Sequence, residues 1–247
     1  MSTVIATSVL PDSTANNTLT IGATGDSVAI SGDSLNLNTL QDAGGNNIFV
    51  SNGSGTITTN SSGWPGALKL ISSQTASGAA SVAFTSGLDS TYDVYIFKYF
   101  DLNPATDGAD FTFQGSTDGG STYGVTMTTT FFHAMHAEAD DYSNLSYVVV
   151  EDLQQSTNYQ NIGRSLSNNA DAAGVGELYL FNPASTTFVK HFNATVNGEN
   201  IDLGAPASEE NFIEGYFNTT SAINAINFKC SSGNFDGIIA LYGISKT

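Results

Sequence analysis

The chain has 247 residues, with 6 Lys and Arg against 23 Asp and Glu and a formal net charge of −17. A phosphate backbone or an anionic membrane surface needs clustered cations, so this balance speaks against nucleic acid and such membranes as partners. Charged residues make up only 12% of the chain, against roughly 25% in an average domain; Ser, Thr, Asn and Gly supply solubility instead, and with Phe and Tyr they favour strands and turns over helices.

The N-terminus, "MSTVIATSVLPDS", has no basic region ahead of its short apolar patch. It does not read as a secretory signal, and synthesis without export by that route is expected. From Asn17 to Asn60 the chain reads "NTLTIGATGDSVAISGDSLNLNTLQDAGGNNIFVSNGSGTITTN". Short alternating apolar positions (Leu19/Ile21, Val28/Ile30, Leu35/Leu37, Ile48/Val50, Ile57) are separated by Gly-rich turns. Before Lys69 the only charges are Asp12, Asp26, Asp33 and Asp42. Each such strand offers too little apolar area to offset its ordering entropy. The segment reads either as a flexible Gly/Ser/Asn-rich linker or as an extended β arm ordered by trimerisation or by docking on a larger assembly. The regular aliphatic pairs favour the arm, over residues 1–63.

After Trp64-Pro65-Gly66 the apolar runs become longer and aromatic. Strands are expected over 67–73, 81–84, 93–102, 110–116, 124–132, 145–150, 177–181, 186–196, 212–218, 225–230 and 237–243, with a short helical turn in 151–160. "NPATDGAD", "FNPAS", "VNGEN" and "SSGNFDG" read as turns, and "STDGGS" as a hairpin. No sustained helical period occurs. The expectation is an all-β chain, with residues 64–247 forming an antiparallel, jelly-roll-like β-sandwich preceded by the β-rich arm.

Few constellations carry chemistry. In "TTTFFHAMHAEADD", His133 and His136 are three apart, which on a strand sends them to opposite faces; zinc motifs on helices place them four apart. A loop joining them with Asp140 or Asp141 would be the metal reading, and solvated rim residues the plainer one. Asp101, Asp107 and Asp110 lack the oxygen order of a calcium loop and read as turn formers. "SNGSG", with Ser54, has no strand–turn–helix context for a nucleophile. The carboxylate groups Glu138/Asp140/Asp141, Glu151/Asp152 and Glu209/Glu210 are adjacent in sequence, and adjacency by itself does not decide whether any pair shares a cleft. Cys230, the single cysteine, permits no intrachain disulfide and reads as a core residue. No catalytic, cofactor-binding or metal residues are assigned, no cofactor is expected, and the chain reads as no enzyme. In "TYDVYIFKYF", Tyr95, Phe97 and Tyr99 share one face and Ile96 and Phe100 the other. That fits a strand covered on both sides, by core or by another subunit; a sugar-stacking platform is the functional alternative.

The segments "TLTIGATGDSVAISGDSL", "DAGGNNIFVSNGSGTI", "LDSTYDVYIFKYFDLNPATDGADFTFQGSTDGGSTY", "GELYLFNPASTTFVKHF" and "GYFNTTSAINAINFKCSSGNFDGIIALYGI" resemble virion-associated proteins of tailed bacteriophages, marine phages especially. The run from Gly215 to Ile244 and the "NPATD" turn carry most of the likeness. The resemblance implies a structural component of the particle: a tail fibre, a head fibre or a capsid decoration protein. It implies no catalytic residues. The expected role is a homotrimeric, non-enzymatic fibre or appendage protein on the virion exterior, made in the host cytoplasm. Residues 1–63 would anchor it to tail or capsid proteins, and the outward head would contact a host-surface glycan. A decoration protein docked on the major capsid protein is the first alternative, and a carbohydrate-binding or carbohydrate-active protein the second.

Overall fold

A computed structural model of the chain describes residues 39–41, 47–51, 57–59, 68–202 and 204–244. The chain separates into two units, Met1–Ser61 and Ser62–Thr247. In the first, β1 (Thr39–Gln41), β2 (Asn47–Ser51) and β3 (Ile57–Thr59) form an antiparallel sheet in chain order. Thr39 lies opposite Val50, and Val50 opposite Thr58. The expected pairs Leu19/Ile21, Val28/Ile30 and Leu35/Leu37, Ser54 and the Trp64-Pro65-Gly66 break lie outside the described residues.

The second unit holds β4 (Leu68–Ala79), β5 (Val82–Phe84), β6 (Val94–Pro104), β7 (Ala109–Ser116), β8 (Met127–Ala137) and β9 (Ser143–Tyr147). A 3-10 turn, Val149–Glu151, follows. Then come β10 (Gln160–Leu166), β11 (Gly174–Phe181), β12 (Lys190–Asn200), β13 (Ala207–Phe217), β14 (Ala225–Cys230) and β15 (Phe235–Ile244). These strands make one antiparallel sheet of 12, with no α-helix among the described residues. The expected all-β, antiparallel class therefore holds.

The sheet has a long run, β4-β15-β6-β11-β12-β13-β8-β9, and a short run, β10-β7-β14-β5. They join where Leu166 of β10 lies opposite Asn200 of β12. Aromatic rings fill the space between the runs. Phe228 on β14 lies 5.1 Å from Phe97 and 5.4 Å from Tyr99 on β6, and stacks on Phe111 of β7 at 5.8 Å. Phe113 on β7 meets Phe192 on β12 edge-to-face at 5.0 Å. The sheet thus bends back over its own core into a nearly closed, barrel-like shape. Each buried Phe contributes about 2–3 kcal/mol of apolar transfer energy, and edge-to-face pairs add to it. Cys230 belongs to this core, and burial pushes its thiol pKa up to about 12.

Several elements differ from the sequence expectation. β8 continues through both histidines to Ala137, and β12 and β13 begin later and earlier than expected. The helical turn expected over 151–160 does not form: a 3-10 turn, Val149–Glu151, stands at its start, and β10, absent from the expectation, follows. "QNIGRSL" conceals its strand because Gly163 and Arg164 break the apolar alternation. "STDGGS" turns the chain but makes no hairpin, since β7 pairs with β10 and β14, and β8 with β9 and β13. Asp118 organises this turn, accepting from the Ser116 hydroxyl at 2.6 Å and from the Thr122 amide at 2.9 Å.

Candidate functional site on the outer sheet face

Alternation gives each strand of the long run one face toward the core and one toward solvent. On β6 the core face takes Tyr95, Phe97 and Tyr99, all at most 1% exposed. A sugar platform built from these three is therefore excluded by burial. The unexpected feature is the opposite face. There Val94, Ile96, Lys98 and Phe100 continue sideways into Tyr179 and Phe181 on β11, Phe212 and Tyr216 on β13, Phe132 on β8, and Leu145 and Tyr147 on β9. Phe100, Phe132, Phe181, Leu145 and Tyr147 are exposed.

The centre of this face is polar and flanked by aromatic pairs. Phe132 stacks on Phe212 with centroids 4.7 Å apart and planes at 7°. Tyr179 stacks on Phe181 at 6.4 Å, and His191 lies 5.6 Å from Tyr216. Between them sit Asn193 and Glu214, which line two adjoining depressions of about 390 and 240 Å³. Gly215 helps form the first: a Cβ there would come within 2.6 Å of the Thr128 carbonyl, so only glycine lets β13 approach β8 this closely. Lys98 donates to Glu177 at 2.6 Å, which neutralises one of the face's carboxylates. Flat rings beside carboxylate and amide groups suit a ligand with apolar patches and hydroxyls, and equally suit another protein surface.

The inward face of β8 is different. His133 is buried and its Nδ1 bonds Glu209 on β13, while its Nε2 lies 3.0 Å from Ser146 Oγ on β9. Glu209 is 1% exposed and also accepts from Asn200 Nδ2. Arg164 of β10 places Nη1 3.9 Å from Glu209, pairs with Asp202, and places Nε 3.7 Å from Glu151. Burial pushes the Glu209 carboxyl above its ordinary pKa, with the bond from His133 and the Arg164 charge pulling the other way. Burial likewise raises Glu151. A cleft of about 550 Å³ opens beside this corner, lined by His133, Met135, Tyr142, Ser146, Arg164 and Asp202 among others.

The remaining candidates from the sequence are dispersed. His136 points outward and its Nε2 lies 3.1 Å from Asp140, both well exposed. Glu138 and Asp141 are exposed. Asp107 and Asp110 accept from the Asn168 and Ser165 amides at 3.1 and 3.0 Å, bonds that tie distant segments together, and Asp110 lies within β7 rather than in a turn. Glu209 and Glu210 face opposite ways, and Asp152 accepts from the Tyr147 hydroxyl. Among the described residues no group of three or more His, Cys, Asp or Glu is placed to hold a metal ion. Sequence reasoning missed Arg164, Asn200 and Ser146 as partners of His133 and Glu209. The one available signal was a Glu at an inward position of "ASEENFIEGYF".

No family model matches the chain, and neither the curated proteins nor the solved structures contain a significant match to it.

Proposed function

We propose that the chain is a structural component of a tailed-bacteriophage particle, a homotrimeric fibre or appendage protein on the virion exterior. In this reading the N-terminal unit anchors and trimerises, and residues 62–247 form the outward head. The bent sheet is taken as a jelly-roll-like sandwich, its short run covering the inner face of the long one. The role is assembly and surface contact, and it gives the chain no catalytic duty.

The observation that carries this reading is the outer face of the long run. A rigid sheet holds three aromatic pairs around Asn193 and Glu214 in solvent. Exposed ring faces of this kind mark contact surfaces. The same pairs favour a host-surface glycan as the ligand, because sugar C–H faces stack on rings while hydroxyls meet carboxylate and amide.

The test uses particles produced from the genome that encodes this chain. Antibody raised against residues 62–247 is expected to label the exterior at tail or neck. Phe132→Ala/Tyr179→Ala particles are expected to assemble normally and adsorb to cells at least about tenfold more slowly. Uniform labelling of the capsid with unchanged adsorption would replace this reading with a decoration protein. Absence of the chain from purified particles would overturn it.

A further inference from the structure

The corner on the inner face of β8 has an arrangement that assembly does not require. Ser146, His133 and Glu209 come from three neighbouring strands, β9, β8 and β13, and their polar atoms form a relay. Ser146 lies directly opposite His133 in the β8–β9 ladder, and Glu209 lies opposite Met135. Ser146 Oγ is 3.0 Å from His133 Nε2, and His133 Nδ1 bonds Glu209 Oε1. A carboxylate can only accept, so in the neutral ring Nδ1 carries the hydrogen. The lone pair of Nε2 is then directed at the serine hydroxyl. Glu209 is itself fixed, since Asn200 donates to its second oxygen and the Arg164 guanidinium stands 3.9 Å from the first. Asn144 Nδ2 donates to Ser146 Oγ at 3.0 Å, which fixes the position of the hydroxyl and leaves its hydrogen to point at His133.

Access follows the same order. Glu209 is buried, His133 is nearly so, and Ser146 is half-exposed in the wall of the cleft of about 550 Å³. A buried acid orienting a base that meets a reachable hydroxyl is the order that nucleophilic catalysis needs.

We infer that Ser146, His133 and Glu209 form a nucleophile–base–orienter set that hydrolyses carboxylic esters of small acyl groups. Ser146 Oγ adds to the ester carbonyl carbon while its proton passes to His133 Nε2. The carbon–oxygen bond to the alcohol breaks, and the alcohol leaves with that proton. Water, deprotonated by the same nitrogen, then cleaves the acyl-serine; the acid departs and Ser146 regains its proton. Glu209 touches no reacting atom and is a positioning residue. An ester suits the site better than an amide, because an alkoxide leaves more easily than an amine. The activity lies beyond the assembly role, and its failure would leave that role untouched.

The test treats the full chain with a fluorophosphonate probe and, separately, with p-nitrophenyl acetate. Expected are a single phosphonyl adduct mapped to Ser146 by peptide mass spectrometry and saturable ester hydrolysis. Ser146→Ala, with an unchanged thermal midpoint, should abolish the adduct and lower kcat/KM at least about 100-fold. Glu209→Gln should keep the adduct site while lowering kcat and shifting its pH profile, which a purely structural Glu209 would not do in folded protein. The inference is overturned if no adduct forms on Ser146, or if folded Ser146→Ala hydrolyses the ester as fast as the parent.

Discussion

β8 and β13 present two faces of very different character. Inward, His133 and Glu209 are buried, and every polar atom of that pair has a partner. Outward, one residue from His133 and three from Glu209 along the same strands, Phe132 and Phe212 stack in the open. The usual distribution, apolar inside and polar outside, is broken at these four positions, while the neighbouring inward positions Phe131, Met135 and Ile213 stay apolar. A buried ionic group is a weak source of net stability but costly to break. An exposed aromatic pair adds little to folding and gives a surface its contact area. The comparison separates residues that hold this unit together from residues left exposed on its surface.

Single substitutions sharpen that separation. Glu209→Ala would leave His133, Arg164 and Asn200 without their shared acceptor, and should cost about 3–5 kcal/mol in urea unfolding. A loss below about 1 kcal/mol would show the corner to be unimportant to folding. Phe131 and Phe132 are adjacent, with exposures of 0% and 40%. Phe131→Ala should cost about 3–5 kcal/mol, while Phe132→Ala should cost no more than about 1.5 kcal/mol, the worth of its stack. Equal losses would mean that the outer face is not free surface in solution.

The pH dependence has a defined sign. Burial raises Glu209 and Glu151 in the folded state, so the folded chain holds these protons to higher pH than the unfolded chain. Their contribution is fully present below the unfolded carboxylate pKa and is lost as pH rises through the raised folded values. Glu209→Gln should flatten that slope in a thermal-midpoint series. Asp118 acts oppositely. Hydrogen bonds from Ser116 and Thr122 hold it at about 2, so its contribution is present above the ordinary aspartate pKa and fades as pH falls toward 2. Asp118→Ala should remove that acid-side loss. The smallest effect belongs to Lys98 and Glu177, a half-exposed pair, where Lys98→Met should change stability by less than about 1 kcal/mol.

Strand character was largely legible in the sequence because period-2 alternation is local: Tyr95, Phe97 and Tyr99 announce a core face without knowledge of their partners. Pairing was not legible. Leu68 pairs opposite Ile244, across nearly the whole head, and no turn signal reports such a distance. "STDGGS" misled because it joins the long and short runs rather than two neighbours. The opposite directions of His133 and His136 followed from their spacing. The partners of His133 did not, because Ser146, Glu209 and Arg164 converge only when β8, β9, β10 and β13 come together. The outer aromatic face was half legible: each strand showed its alternating rings, but only registers such as Phe132 opposite Phe212 reveal that they form pairs.

The central claim, a trimer anchored by its N-terminal unit with a free outer face on the head, is tested most directly by solution mass. Light scattering would compare the full chain with residues 62–247 at matched concentration. The account predicts a trimer for the full chain and a monomer for the head. Two monomers, or a head that trimerises alone through its aromatic face, would contradict it.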